Sequence, residues 1–257
     1  MDKQLLWNAV YPRDIKCIVC DTELDGYAHN GLCRACTLPY NNVFCTVCGA
    51  PVLAQNAVCD RCKQTCFPFA AARSSFAYRD EAATLVHRLK FREMRFLAAV
   101  MAEFMADTYY KTDWNPDVVT FVPMHKRDKG MRGYNQSQLL AKEVGARIRK
   151  PDRELLAKTV RGKHMVGLSY DERKNAVRNT FAPSAEADGA KGKTVLLIDD
   201  VLTTGATAAE CTRMLLRAGV EKVYVLTFAS VEYKQTQKKD HKDKKNGKRN
   251  KMRAKRI

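Results

Sequence analysis

The sequence predicts an α/β fold, a parallel sheet with helices on both faces, preceded by a small module held together by metal. Three observations lead there. Four CxxC pairs crowd into residues 17–62, the spacing at which thiolates close around a metal ion. Beyond about Phe76, stretches of helical periodicity alternate with short apolar runs suited to strands buried on both faces. One such run, Val195–Ile198, leads straight into two carboxylates, a small glycine turn and the start of a helix. The expected boundaries are a metal module over 10–68, an α/β domain over 74–233 and a tail over 234–257.

The cysteine pairs are Cys17/Cys20, Cys33/Cys36, Cys45/Cys48 and Cys59/Cys62, with twelve residues between the first two and ten between the last two. Each CxxC turn puts two thiolates on one side of a knuckle, and two knuckles complete a tetrahedron around Zn²⁺. Gly49, after Cys48, suits a knuckle that needs a positive φ. The pattern resembles a double zinc ribbon with two structural sites, closed because every ligand is a thiolate. Spacing leaves the pairing open between sequential and cross-braced, and four thiolates also suit an iron–sulfur cluster. Cys66 competes with Cys62 as a ligand, Cys211 lies on the apolar side of a predicted helix, and His29 reads as a loop residue. Ribbons of this size need their metal to fold, and their usual task is to bind nucleic acid, a partner or the neighbouring domain.

Residues 80–91 place Ala83, Val86 and Leu89 at helical spacing, with His87 near that side, and a second amphipathic helix is expected over 96–109. Residues 117–122 (DVVTFV) read as a buried strand ending at Pro123. A polar, basic segment follows, carrying Lys126, Arg127, Lys129 and Arg132, and leads into a helix over 137–148. A charge run is more often a solvated face, but this one follows a strand end, where α/β sites form.

After the strand Val195–Ile198 come Asp199 and Asp200, then Thr203, Thr204, Gly205, Ala206 and Thr207. Ala208, Ala209, Cys211, Leu215 and Leu216 then recur at helical spacing up to Gly219. This arrangement suits a sugar phosphate. Backbone N–H groups and the positive helix end hold the phosphate, hydroxyls add donors, and small side chains let the backbone come close. The carboxylates accept hydrogen bonds from ribose hydroxyls. The alternative is an acidic βα turn of some other α/β fold. A P-loop is excluded, because no Lys follows the glycine.

Residues 195–207 resemble the signature of type I phosphoribosyltransferases, which bind 5-phosphoribosyl-1-pyrophosphate (PRPP) with Mg²⁺. Further marks narrow the resemblance to the ComF/ComFC competence proteins. They are Leu89-Lys90-Phe91, Val122-Pro123, Arg132-Gly133-Tyr134-Asn135-Gln136, Leu139-Leu140-Ala141, the segment from Leu168-Ser169 through Arg173 and Asn175 to Phe181, and the eight-cysteine ribbon. The resemblance covers residues 10 to 230 and implies a type I phosphoribosyltransferase-like sheet behind a double zinc ribbon. It makes Asp199 and Asp200 the catalytic pair and Thr203–Thr207 the 5-phosphate anchor, with Lys126, Arg127, Lys129 and Arg132 receiving pyrophosphate. It also implies a mobile loop over 158–175, where Arg161, Lys163, His164 and Arg173 are anion-binding candidates. There the family's frequent Gln before Gly-Leu-Ser is replaced by Met165 or Val166.

Hydrophobic residues make up 46% of the chain, enough for a packed core, and no apolar run approaches a membrane span. The first sixteen residues lack a signal-peptide pattern, so the expected location is cytoplasmic. Of the net charge of +17, ten units lie in the tail, where twelve Lys or Arg face two Asp. Such a tail is expected to be disordered and either to attract polyanions or to remain merely solvated. The family resemblance implies DNA uptake, with single-stranded DNA and an uptake helicase as partners and no membrane insertion. Two other readings stand beside it: a metabolic phosphoribosyltransferase acting on a nitrogenous acceptor, and a non-catalytic adaptor that keeps the phosphate fold.

Overall fold

The computed structural model describes residues 16–24, 30–92, 94–160 and 170–232. Outside them lie His29, Arg161, Lys163, His164, Met165, Val166, the side chain of Arg173 and the tail 234–257. The elements are α1 (Asp60–Gln64), β1 (Ala71–Ala77), α2 (Asp80–Phe91), α3 (Leu97–Tyr110), β2 (Val118–Phe121), α4 (Lys126–Arg132) and α5 (Gln136–Ile148). They continue with β3 (Leu156–Lys158), α6 (Tyr170–Val177), β4 (Phe181–Pro183), β5 (Thr194–Leu202), α7 (Ala206–Arg217) and β6 (Lys222–Ser230).

Four strands form a parallel sheet in the order β1-β6-β5-β2. Strands β3 and β4 pair antiparallel beside it. The register sets Leu197 of β5 between Val225 of β6 and Thr120 of β2. Because strand side chains alternate, β5 splits between two cores. Leu196 and Ile198 join α2, α3 and α5 on one face, whereas Val195 and Leu197 join α7 on the other. Apolar residues on both faces are what a sheet covered twice requires.

The second face has an additional cover. Cys45, Cys48, Cys59, Phe67 and Phe69 belong to the same buried cluster as Val195, Leu197, Val225, Ala206 and Ala209. The knuckle is sewn onto β1 by Ala72 N–H donating to the Val47 carbonyl at 2.8 Å and the Arg73 guanidinium donating to the Thr46 carbonyl at 3.1 Å. Gly49 adopts φ +69°, and a Cβ there would lie 2.7 Å from the Ala72 carbonyl oxygen. Glycine is required at this approach for both reasons. The metal module is therefore part of the sheet's packing as well as a leading appendage.

Several local expectations shift. In α2 the buried face is Ala82, Leu85, Val86 and Leu89, while His87 is exposed. β5 does not stop before the carboxylates but runs on to Leu202, because Asp199 still pairs with Thr227 of β6 and Leu202 with Ser230. The basic segment is a short helix, not an open loop. His125 caps it by accepting from the Arg127 N–H at 3.3 Å, and Gly133 ends it in the left-handed region. Cys211 is fully buried in the second core. Among the described residues, no helix is long and apolar enough to cross a membrane.

Candidate functional site

The ends of β1, β5, β6 and β2 bring the candidate residues to the carboxyl edge of the sheet, where open α/β sheets place ligands. Asp199 and Asp200 lie in the last part of β5. Residues 203–205 turn, and Gly205, at φ +80° and ψ −1°, stands as the N-cap of α7. The Thr204 hydroxyl accepts from the Ala206 N–H at 3.4 Å. The first-turn N–H groups of a helix lack partners within it and carry its positive pole. Thr203, Thr204, Gly205, Ala206 and Thr207 thus form one small-residue turn at the start of a twelve-residue helix.

The two carboxylates have different environments. Asp200 is buried and forms an ion pair with Lys90, Nζ to Oδ2 2.7 Å. Asp199 accepts from the Ser137 hydroxyl at 2.8 Å and from the Asp200 N–H at 3.0 Å. Loss of hydration about the Asp199 carboxyl, then the neighbouring Asp200 charge, pushes it up to about 7; Ser137, Lys90 and the Asp200 amide partly oppose this. Burial alone acts to lower Lys90, but the adjacent Asp200 carboxylate outweighs it and holds the ammonium above its ordinary range.

The Arg-Gly-Tyr-Asn-Gln segment explains this geometry. Gly133 ends α4, and the buried Tyr134 hydroxyl donates to the Leu89 carbonyl, fixing the last turn of α2 from which Lys90 reaches Asp200. Asn135 caps α5 by accepting from the Ser137 N–H at 3.0 Å, and its amide donates to the Val122 carbonyl at 3.0 Å. That cap aims Ser137 at Asp199. Sequence reasoning missed Lys90, Asn135 and Ser137 as site residues. The available signal was Lys90 itself, a cation directly following the buried Leu89.

The basic residues are not gathered equally. Lys126, Arg127 and Lys129 are exposed on α4, which buries none of its residues. Arg132 donates to the Gln136 side chain at 2.8 Å, one residue from Ser137, and its guanidinium lies 5.2 Å from the ring centroid of exposed Phe91. Among the described residues, neither Lys126 nor Arg127 bonds to the aspartates or the turn.

The raised Asp199 pKa has a consequence for stability. Unfolded, the carboxyl has its ordinary value of 3.8; folded, it holds its proton up to about 7. Its contribution to stability is full below the unfolded value and is lost as pH rises through the folded one. Asp199→Asn removes this loss. We expect the variant to gain about 2 kcal/mol relative to wild type between near pH 5 and near pH 8. Urea unfolding at both pH values measures it, and parallel pH profiles would contradict it.

Cys17, Cys20, Cys33 and Cys36 form one quartet, and Cys45, Cys48, Cys59 and Cys62 a second, each with all ligand atoms within 4.8 Å. The pairing is sequential, and Cys66 belongs to neither. The Sγ separations of 3.6 Å for Cys20–Cys33 and 3.7 Å for Cys48–Cys59 match the edge of about 3.8 Å in a tetrahedron of Zn–S bonds. The donor set fits structural zinc. Cys17, Cys45 and Cys48 are buried, whereas Cys20 is exposed.

A family model described as a double zinc ribbon domain matches residues 6–63, and one described as a phosphoribosyl transferase domain matches residues 155–255. The DNA utilization protein YhgH of Escherichia coli K12 is 28% identical over 217 residues, covering 81% of this chain and 94% of that protein. Competence protein F of Haemophilus influenzae is 26% identical over 223 residues, covering 84% and 97%. Competence protein ComFC of Bacillus subtilis is 27% identical over 201 residues, covering 73% and 77%. With the second cysteine quartet packed against a parallel sheet that ends in Asp-Asp and a glycine turn, these likenesses make the chain similar to the ComF/ComFC competence proteins, with a double zinc ribbon domain ahead of a phosphoribosyl transferase domain.

Proposed function

We propose that this is a cytoplasmic protein that binds PRPP, or a related phosphoribosyl group, with Mg²⁺ and handles single-stranded DNA during uptake, beside a helicase. The observation that carries the reading is the carboxylate pair at the end of β5, joined to the Gly205 turn and backed by Lys90. The turn amides and Thr hydroxyls would hold the 5-phosphate, and Asp199 and Asp200 would accept from the ribose hydroxyls. Carboxylates suit a hard divalent cation, which commonly joins one or two of them to substrate phosphates. Bound there, Mg²⁺ would neutralise charge on the pyrophosphate group. Lys126, Arg127, Lys129 and Arg132 would add positive charge on the side of the leaving anion.

The chain's own chemistry is compatible with displacement at the ribose C1 by a nitrogen nucleophile. Holding the 5-phosphate and ribose fixes that carbon against an attacker. The DNA part of the reading rests on the net charge of +17 and on the relatives named for competence and DNA utilization. Single-strand affinity of the full chain is expected to fall about a thousandfold between roughly 50 and 200 mM salt. Fluorescence anisotropy with a labelled oligonucleotide measures this. No binding at the lower salt would overturn the DNA assignment.

A further inference from the structure

The segment that carries the second cysteine quartet reaches the Thr203–Thr207 turn through Arg61 and the nearby Phe67. Arg61 lies between ligands Cys59 and Cys62 on α1, so metal coordination on both sides fixes its backbone. Its side chain is buried, and its two terminal nitrogens point in different directions. Nη2 donates to the Cys48 sulfur at 3.3 Å, and Nη1 donates to the Thr203 carbonyl at 2.7 Å. Phe67 packs beside the guanidinium, 5.8 Å from its centroid, and stacks on Phe69 at 4.9 Å. The Phe67 ring also lies against Gly205: a Cβ there would approach it to 2.8 Å. The turn is therefore held at Thr203 by Arg61 and at Gly205 by Phe67.

We propose that Arg61, with Phe67 beside it, is a positioning residue that transmits the grip of the second zinc centre to the Thr203–Thr207 turn, which keeps its ligand-ready shape only while Cys45, Cys48, Cys59 and Cys62 hold their metal. Four thiolates outweigh one divalent ion, so the loaded centre is anionic and balances a guanidinium that could not otherwise be buried cheaply. The planar fork matters as well. It spans a sulfur and a carbonyl at once, which a lysine ammonium cannot do in the same geometry. The inference rests on the phosphoribosyl reading only for the ligand; the mechanical link stands on the contacts themselves.

Hydrogen exchange of residues 203–207, read alongside zinc content, tests it in the full-length protein. Arg61→Lys is expected to retain two zinc ions while the turn amides exchange about tenfold faster, as loss of a charged hydrogen bond predicts. PRPP affinity in the presence of Mg²⁺ should fall by a similar factor. Wild-type protection at 203–207 with Arg61→Lys fully metallated would overturn the proposal. Should Arg61→Lys shed the second zinc, Phe67→Leu, which leaves α1 intact, decides the matter: protection at 203–207 falls with both metals bound, or the coupling is wrong. Exchange needs no ligand. A turn that loosens in a protein that never binds PRPP would leave the coupling standing and remove only the phosphoribosyl reading.

Discussion

Stripping zinc from this protein is expected to proceed in two phases, and loss of the second ion to weaken more than the ribbon. The first quartet includes the exposed Cys20, open to a chelator. In the second, Cys45 and Cys48 are essentially inaccessible and share a core with Val195, Leu197 and Ala206. A structural zinc contributes on the order of 10 kcal/mol to the folding of a small module. Releasing the second ion therefore removes the cover from one face of the sheet as well as a knuckle. Colorimetric zinc release should show a fast and a slow phase of equal amplitude. The slow phase should coincide with dye binding to newly exposed apolar surface and a fall in Tm of about 10 °C or more. A single phase, or a metal-free protein with unchanged Tm, would contradict this packing.

Lys90→Met is expected to be the most damaging single change at the site. Lys90 faces Asp200 across 2.7 Å, and Asp200 is buried beside Asp199. Removing one partner of a buried pair leaves an uncompensated charge and costs about 3 kcal/mol or more. Methionine keeps most of the volume, so the loss is electrostatic and must depend on pH. Without the ammonium, which opposes the rise at Asp199, the Asp199 carboxyl holds its proton more tightly in the folded state. The penalty is then largest near pH 8, where Asp199 must ionise, and smaller near pH 5, where it need not. Denaturant unfolding of wild type and variant at the two pH values separates the terms. An equal loss at both would assign Lys90 to packing alone.

The sequence carried the parts of this molecule that repeat or run. Four CxxC pairs and the Val195–Ile198 run are local signals, because thiolate spacing and two-sided burial leave their mark within a few residues. Gly205 was equally legible, since a small-residue turn before a helix requires it. What was not legible depends on contacts far apart in the chain. Nothing near Lys90 says that its ammonium meets Asp200, and nothing near Arg61 says that it reaches Thr203, 142 residues away. The extension of β5 through both aspartates is set by pairing with β6, and the helical form of 126–132 by the His125 and Gly133 caps, which charge alone conceals. The docking of the knuckle on β1 likewise rests on Gly49, whose need for a positive φ was visible but whose closeness to Ala72 was not.

The central claim is that Asp199, Asp200 and the Gly205 turn form a working phosphoribosyl site. Calorimetric titration of PRPP with Mg²⁺ into the full-length protein tests it most directly. About 0.3 M salt screens the polybasic tail, which would otherwise attract any polyphosphate. The account predicts saturable binding at one site per chain, abolished in Asp199→Asn/Asp200→Asn protein that retains both zinc ions. Absence of saturable binding to wild type, or binding that survives in the double variant, would contradict it.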